Sequence, residues 1–155
     1  MTLSDKLPNG KPVSAAPALA RLLSDSALSR AALAACGFPV ALADATAKGR
    51  PLTYVNPSFE AFFGFRADEV LGRPVITLLF PEADGAASMF NEAPARLLML
   101  ARRKDGTGAQ VELSIGMVHG VDGLLTHWVL AFADRSEIAR MQEELRVLRA
   151  IAAAP

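Results

Sequence analysis

An α+β fold, an antiparallel sheet with helices gathered on one face, is the architecture this sequence predicts. Three observations predict it. The chain has 155 residues, 52% hydrophobic and 21% charged, enough apolar material for one domain with a real core. Its strand-like and helix-like runs come in groups, not in strict alternation, which argues against a parallel α/β sheet. In Gln110–His119, finally, Val111, Leu113, Ile115 and Met117 alternate with less apolar residues, the period-2 pattern of a half-buried strand.

The elements follow in order. Residues 1–17 contain Pro8, Asn9, Gly10, Pro12 and Pro17 among small polar residues and read as a flexible leader. Residues 18–36 read as two short cap helices. Leu19, Leu22 and Leu23 carry the first; Ser24-Asp25-Ser26 break the chain and supply a new N-cap; Leu28, Ala32, Leu33 and Ala35 carry the second, which Gly37 stops. Phe38–Asp44 and Leu52–Val55 are short strands across the Lys48-Gly49 turn. Asn56 caps a helix with Pro57 at its first position and Phe59, Phe62 and Phe63 on one face, ending at Gly64. One helical turn spans Ala67–Leu71, Val75–Phe80 is a short apolar run, and a helix is expected around Gly85–Asn91. Arg96–Lys104, Gln110–His119 and Leu124–Ala133 are three long strands, the first two joined by Asp105-Gly106, a strong hairpin signal. Arg135–Ala153 closes the chain as an amphipathic helix with Ile138, Met141, Leu145 and Leu148 at intervals of three, four and three.

Composition also excludes function classes. Sixteen Lys+Arg balance sixteen Asp+Glu, so no basic face for nucleic acid is expected. The single Cys36 removes an internal disulfide framework or a multi-cysteine metal site, and reads as a small buried apolar group more than a redox switch. The N-terminus lacks a secretory pattern, and no apolar run approaches the roughly 18–20 residues that span a bilayer, so a cytoplasmic domain off the membrane is expected. Glu82, Asp84 and Glu92 lie in a polar loop without histidine partners, so no enzymatic activity is expected. Asp44 with Arg50, and Glu69 with Arg73, are expected to be surface ion pairs.

Taken together, Tyr54-Val55-Asn56-Pro57-Ser58-Phe59, Phe63-Gly64-Phe65 and Glu69-Val70-Leu71-Gly72-Arg73 resemble the "YVNxAF…GY…EEVLGR" run of PAS domains. Arg102-Arg103-Lys104-Asp105-Gly106-Thr107 is similar to their "RRKDGT" hairpin, and Asp134-Arg135-Ser136 to the close of their last strand. The resemblance covers residues 37–136. It implies a five-stranded antiparallel sheet of order 2-1-5-4-3 and a pocket between sheet and short helices, so the chain divides into a PAS domain over 37–134 and, read from its apolar stripe, a signalling or dimerisation helix over 135–155.

The segment Ala43–Asn56 looks most like the flavin-binding LOV branch of the family. That branch implies a cysteine after "GRN" in "GRNCRFLQ"; here Gly72-Arg73-Pro74 precedes Val75, and Leu79 replaces the final glutamine. The two asparagines and the glutamine that the branch uses to hold flavin correspond to Ala101, Val111 and Phe132. A flavin's polar edge buried without partners loses about 1–3 kcal/mol per group, so flavin is disfavoured. Haem is disfavoured as well, because residues 82–95 hold no histidine and His119 and His127 fall elsewhere.

If the alternation holds, Ala101, Val111, Leu113, Leu130 and Phe132 face inward from the sheet, opposite Phe59, Phe63, Val75, Leu79 and Phe90. This lining suits either a filled core or a pocket for a small apolar ligand. Leu19, Leu22 and Leu23, with Ile138, Met141, Leu145 and Leu148, need covering, and a homodimer through these flanking helices is expected. The charges around the terminal stripe (Arg140, Glu143, Glu144, Arg146, Arg149) suit a parallel or an antiparallel seam. The expected function is sensory or regulatory: ligand or partner binding relayed through paired helices to a separate effector protein or a lost effector domain. The alternative is a ligand-free PAS interaction module, and a LOV-like photoreceptor is a third.

Overall fold

The computed structural model describes residues 26–83 and 85–153, so the leader, Leu19, Leu22, Leu23 and Asp84 lie outside the described residues. Helix α1 (Ser26–Ala35) is followed by strands β1 (Val40–Asp44) and β2 (Leu52–Val55), then helices α2 (Pro57–Phe63), α3 (Ala67–Val70) and α4 (Val75–Leu79). A 3-10 helix (Ala86–Glu92) leads into β3 (Ala95–Arg102), β4 (Gly108–His119), β5 (Leu125–Asp134) and the terminal helix α5 (Ser136–Ala153). The five strands form one antiparallel sheet of order β2-β1-β5-β4-β3, as expected of the family.

Local chemistry explains most of these boundaries. The Asn56 side chain accepts the Phe59 N–H at the start of α2, Pro57 needs no partner there, and Gly64 ends the helix at φ 81°, a left-handed conformation that suits glycine. At the β3–β4 hairpin Asp105 accepts both the N–H and the hydroxyl of Thr107, and Gly106 takes φ 87°. Val75–Phe80, read from sequence only as an apolar run, is helical because Val75, Leu78 and Leu79 share one buried face at helical spacing. Strand β3 stops at Arg102, short of the expected Lys104, because the Lys104 N–H turns away to the Phe63 carbonyl.

The sheet buries both faces unequally. Its inner face packs on α2, α3, α4 and the 3-10 helix around one apolar cluster, while on the outer face Leu33 of α1 covers Val40, Val129 and Ala131. Helix α5 has no buried residue. It is tied to the sheet at its start, where Arg135 N–H donates to the Gln110 carbonyl and the Ser136 hydroxyl accepts the Gln110 N–H. No described helix is long and apolar enough to cross a membrane.

Candidate functional site

All ten residues read from sequence as the inner lining fall in one apolar cluster: Phe59, Phe63, Val75, Leu79, Phe90, Ala101, Val111, Leu113, Leu130 and Phe132. Strand alternation and helical spacing, both local signals, turn these residues toward one interior. Three rings form the centre. Phe59 and Phe63, one turn apart on α2, stand 4.7 Å centroid to centroid; Phe132 of β5 meets Phe63 at 5.1 Å and Phe59 at 6.0 Å, both edge-on. Leu113 pairs directly opposite Phe132 in the sheet and belongs to the same buried cluster. Phe132 is 1% exposed and Val75, Ala101 and Leu113 are fully buried.

A second aromatic group joins Phe90, already read as lining, to Trp128 and Arg50, which sequence reasoning missed. Phe90 of the 3-10 helix packs at 5.0 Å on Trp128 of β5 with the rings tilted, and the Arg50 guanidinium lies over the Phe90 ring at 4.5 Å. The expected Asp44–Arg50 ion pair is thereby corrected: Arg50 turns to the aromatic face, while Asp44 is held by the hydroxyl and N–H of Thr46, which keep its carboxyl below the usual carboxylate range. The expected Glu69–Arg73 pair is corrected as well. Glu69 of α3 pairs with Lys104 of the β3–β4 turn, and that hydrogen bond lowers its pKa. Glu82 takes a two-point contact from Arg102, so the acidic loop is used in a surface ion pair.

Polar groups are scarce inside. Among the residues whose burial is described, Asn56 and Ser114 alone are polar and buried. Asn56 is saturated: its carbonyl oxygen accepts from the N–H groups of Val40 and Phe59, and its amide donates to the carbonyls of Leu33 and Phe38. Ser114 alternates with the inward Leu113 and Ile115 and faces outward, pairing with Ala131 in a shallow dent bordered by Phe38, Glu112 and Ala133. Among the described residues the inner lining thus offers no free amide or hydroxyl side chain to a bound polar group. Cys36 is half-buried, not the buried apolar group expected; it donates to the Ala32 carbonyl, and burial pushes its thiol pKa up, away from nucleophilic chemistry. Of the histidines, His119 is exposed at a strand end and His127 contacts the Thr126 hydroxyl at 3.1 Å. Among the described residues no group of three His, Cys, Asp or Glu converges as a metal set.

On the terminal helix, Ile138, Met141, Leu145, Leu148 and Ile151 are between 42% and 66% exposed. The stripe read from sequence is exposed, with no cover among the described residues, and is the second candidate surface.

A helix-covered antiparallel sheet of order 2-1-5-4-3 enclosing an apolar interior, with a helix leaving its last strand, defines a sensor-type α+β domain. The chain belongs to the PAS domain family, whose profile matches residues 39–137. It is similar to the bacterioopsin transcriptional activator of Halobacterium salinarum, 27% identical over 129 residues, covering 79% of this chain and 19% of that protein. It is also similar to a blue-light-activated histidine kinase of Brucella ovis, 28% identical over 121 residues, covering 74% of this chain and 25% of the kinase. The chain therefore spans a quarter or less of the length of these two relatives. Its structural neighbours are LOV domains. An RNA-binding light-oxygen-voltage receptor superposes with TM-score 0.69 at 28% identity, covering 84% of this chain and 38% of the receptor chain. The LOV domain of a blue-light-activated histidine kinase from Erythrobacter litoralis superposes with TM-score 0.58 at 25% identity, covering 65% and 98%.

Proposed function

We propose that this PAS domain is a flavin-free signalling module, without catalytic activity of its own, that associates through α5 and relays its input to an effector. The observation that carries the proposal is the Phe59–Phe63–Phe132 cluster, which fills the space between α2 and the sheet with the chain's own rings. A flavin there would need to displace Phe132 and would meet Ala101 and Val111 where the LOV branch supplies amides. It would also meet Val75, which has no thiol to form an adduct. The lining does not fit the cofactor. Relatives named as a transcriptional activator and a histidine kinase support a role in signal transduction. With its interior packed, the domain takes its input from a protein partner at its surface, and the effector is either a further domain or a separate protein.

Two measurements test this. The purified protein is expected to show neither a flavin band nor a Soret band, and its native mass is expected to be that of the polypeptide alone. A yellow sample that bleaches in blue light would overturn the proposal; a co-purifying apolar molecule would favour a ligand sensor instead. Sedimentation is expected to show concentration-dependent association that Leu145→Glu abolishes, since a carboxylate would be buried in the middle of the stripe. Association of this variant equal to the parent would remove α5 as the interface.

A further inference from the structure

We infer that the open edge of β3 is a self-association site: two copies of this chain add β3 to β3 antiparallel about Met99, making one continuous sheet. Strand β3 is last in the sheet order and pairs with β4 through eight consecutive residues without a bulge. The Arg103 N–H donates to the Thr107 carbonyl at 2.9 Å, so by the antiparallel alternation Ala101, Met99, Leu97 and Ala95 turn their backbone groups into β4. The N–H and carbonyl groups of Arg96, Leu98, Leu100 and Arg102 then face the open edge, and among the described residues no other segment bonds them. Edge strands are commonly blunted by a proline, a bulge or an inward-pointing charge. None of these interrupts residues 95–102, where Leu98 is 71% exposed and Leu100 42% exposed.

The strand's own sequence selects a second copy as the occupant. Arg96-Leu97-Leu98-Met99-Leu100-Ala101-Arg102 reads nearly the same in both directions about Met99. Antiparallel pairing about that residue sets Leu98 opposite Leu100 on one face and Leu97 opposite Ala101 on the other, so apolar meets apolar throughout. Each edge-facing residue from Arg96 to Arg102 also meets another edge-facing residue, so both exchange their N–H and carbonyl bonds. Pro94, which has no N–H to give, stands just outside the seam. Arg96 opposite Arg102 is the repulsive element, and each is answered within its own chain. Arg96 bonds Glu112 at 3.1 Å, and Arg102 bonds Glu82 at 2.6 and 2.9 Å. The contact uses none of the α5 surface and is independent of it. A single strand seam without a core of its own is the weaker of the two, so it fills at concentrations above those that pair α5.

Hydrogen exchange and cross-linking test the seam. The amides of Leu98 and Leu100 are expected to exchange about fivefold more slowly in millimolar than in micromolar protein, while those of Leu97 and Met99, held by β4, stay protected at both. Leu98→Lys puts a charge into the seam at an exposed position and is expected to erase that slowing without moving the urea midpoint. In a Cys36→Ser background, Met99→Cys is expected to form a disulfide with its own copy, because a non-hydrogen-bonded pair at the two-fold centre sets the Cα atoms about 4.5 Å apart. Leu97→Cys is expected not to, since its two copies stand four residues apart along the strands, about 13 Å. The Met99→Cys disulfide is expected to persist when Leu145→Glu is added; its loss there would show that the two strands meet only through α5 and would overturn the seam. Exchange at Leu98 and Leu100 that ignores concentration, or Leu97→Cys cross-linking as well as Met99→Cys, overturns it too. Protection of β3 by a different protein and none by the chain itself would reject the second copy as occupant.

Discussion

Truncating Phe132 to alanine is expected to lower the unfolding free energy by about 3–5 kcal/mol, the range for deleting a buried phenylalanine where the surroundings cannot close in. They cannot close in here. Strand β5 is the middle strand, hydrogen-bonded to β1 on one side and β4 on the other, so its backbone is fixed. The vacated space is bounded by Phe59, Phe63 and Leu113, each held by its own helix or strand. In urea titration the midpoint should fall with little change in slope, because the surface exposed on unfolding hardly changes. A dry apolar cavity of this kind binds small aromatics, so benzene should recover part of the loss in Phe132→Ala and none in the parent. Phe132→Gln is expected to be as damaging as the alanine variant, since its amide would enter a lining without a free polar partner. A loss below about 1 kcal/mol for Phe132→Ala would mean that the interior already holds spare volume, and the self-filled reading of the domain would fail.

How much of this was legible in the sequence follows from the range of each signal. Asp105-Gly106 set the β3–β4 hairpin, Asn56-Pro57 set the start of α2, and the alternation through Val111, Leu113 and Ile115 told which residues turn inward. All three are written within a few neighbouring residues. What the sequence hid depends on segments that meet only in the folded chain. Arg50 leaves Asp44 because the 3-10 helix, some forty residues on, brings Phe90 beneath it. Glu69 leaves Arg73 because the β3–β4 hairpin carries Lys104 to it and Lys104 is anchored by its own N–H on the Phe63 carbonyl. The stripe on α5 was legible for the same local reason as the strands.

Asn56 combines both ranges, and its replacement should show it. Sequence gives its capping role; the fold adds two carbonyls, of Leu33 and Phe38, and the N–H of Val40, so one side chain joins α1, the entry to β1 and the start of α2. Asn56→Ala removes a helix cap worth about 1 kcal/mol, strands the buried Val40 N–H at about 1 kcal/mol or more, and takes one donor each from the Leu33 and Phe38 carbonyls, of which Leu33 keeps the Cys36 N–H, for an expected loss of about 3 kcal/mol. Hydrogen exchange should report faster exchange in α1, since Leu33 would keep its apolar contacts but lose its polar tether. Asn56→Asp separates capping from donation. Its carboxylate still accepts from Val40 and Phe59 but faces the Leu33 and Phe38 carbonyls with no proton to give. Those oxygens favour the protonated acid, which raises its folded pKa above the unfolded value. The Asn56→Asp variant should therefore gain stability relative to Asn56→Ala as the pH falls and lose that advantage as the pH rises through the raised pKa. An Asn56→Asp variant as stable as the parent at every pH would show that the amide's two donated bonds contribute nothing, and α1 would then be held by its apolar contacts.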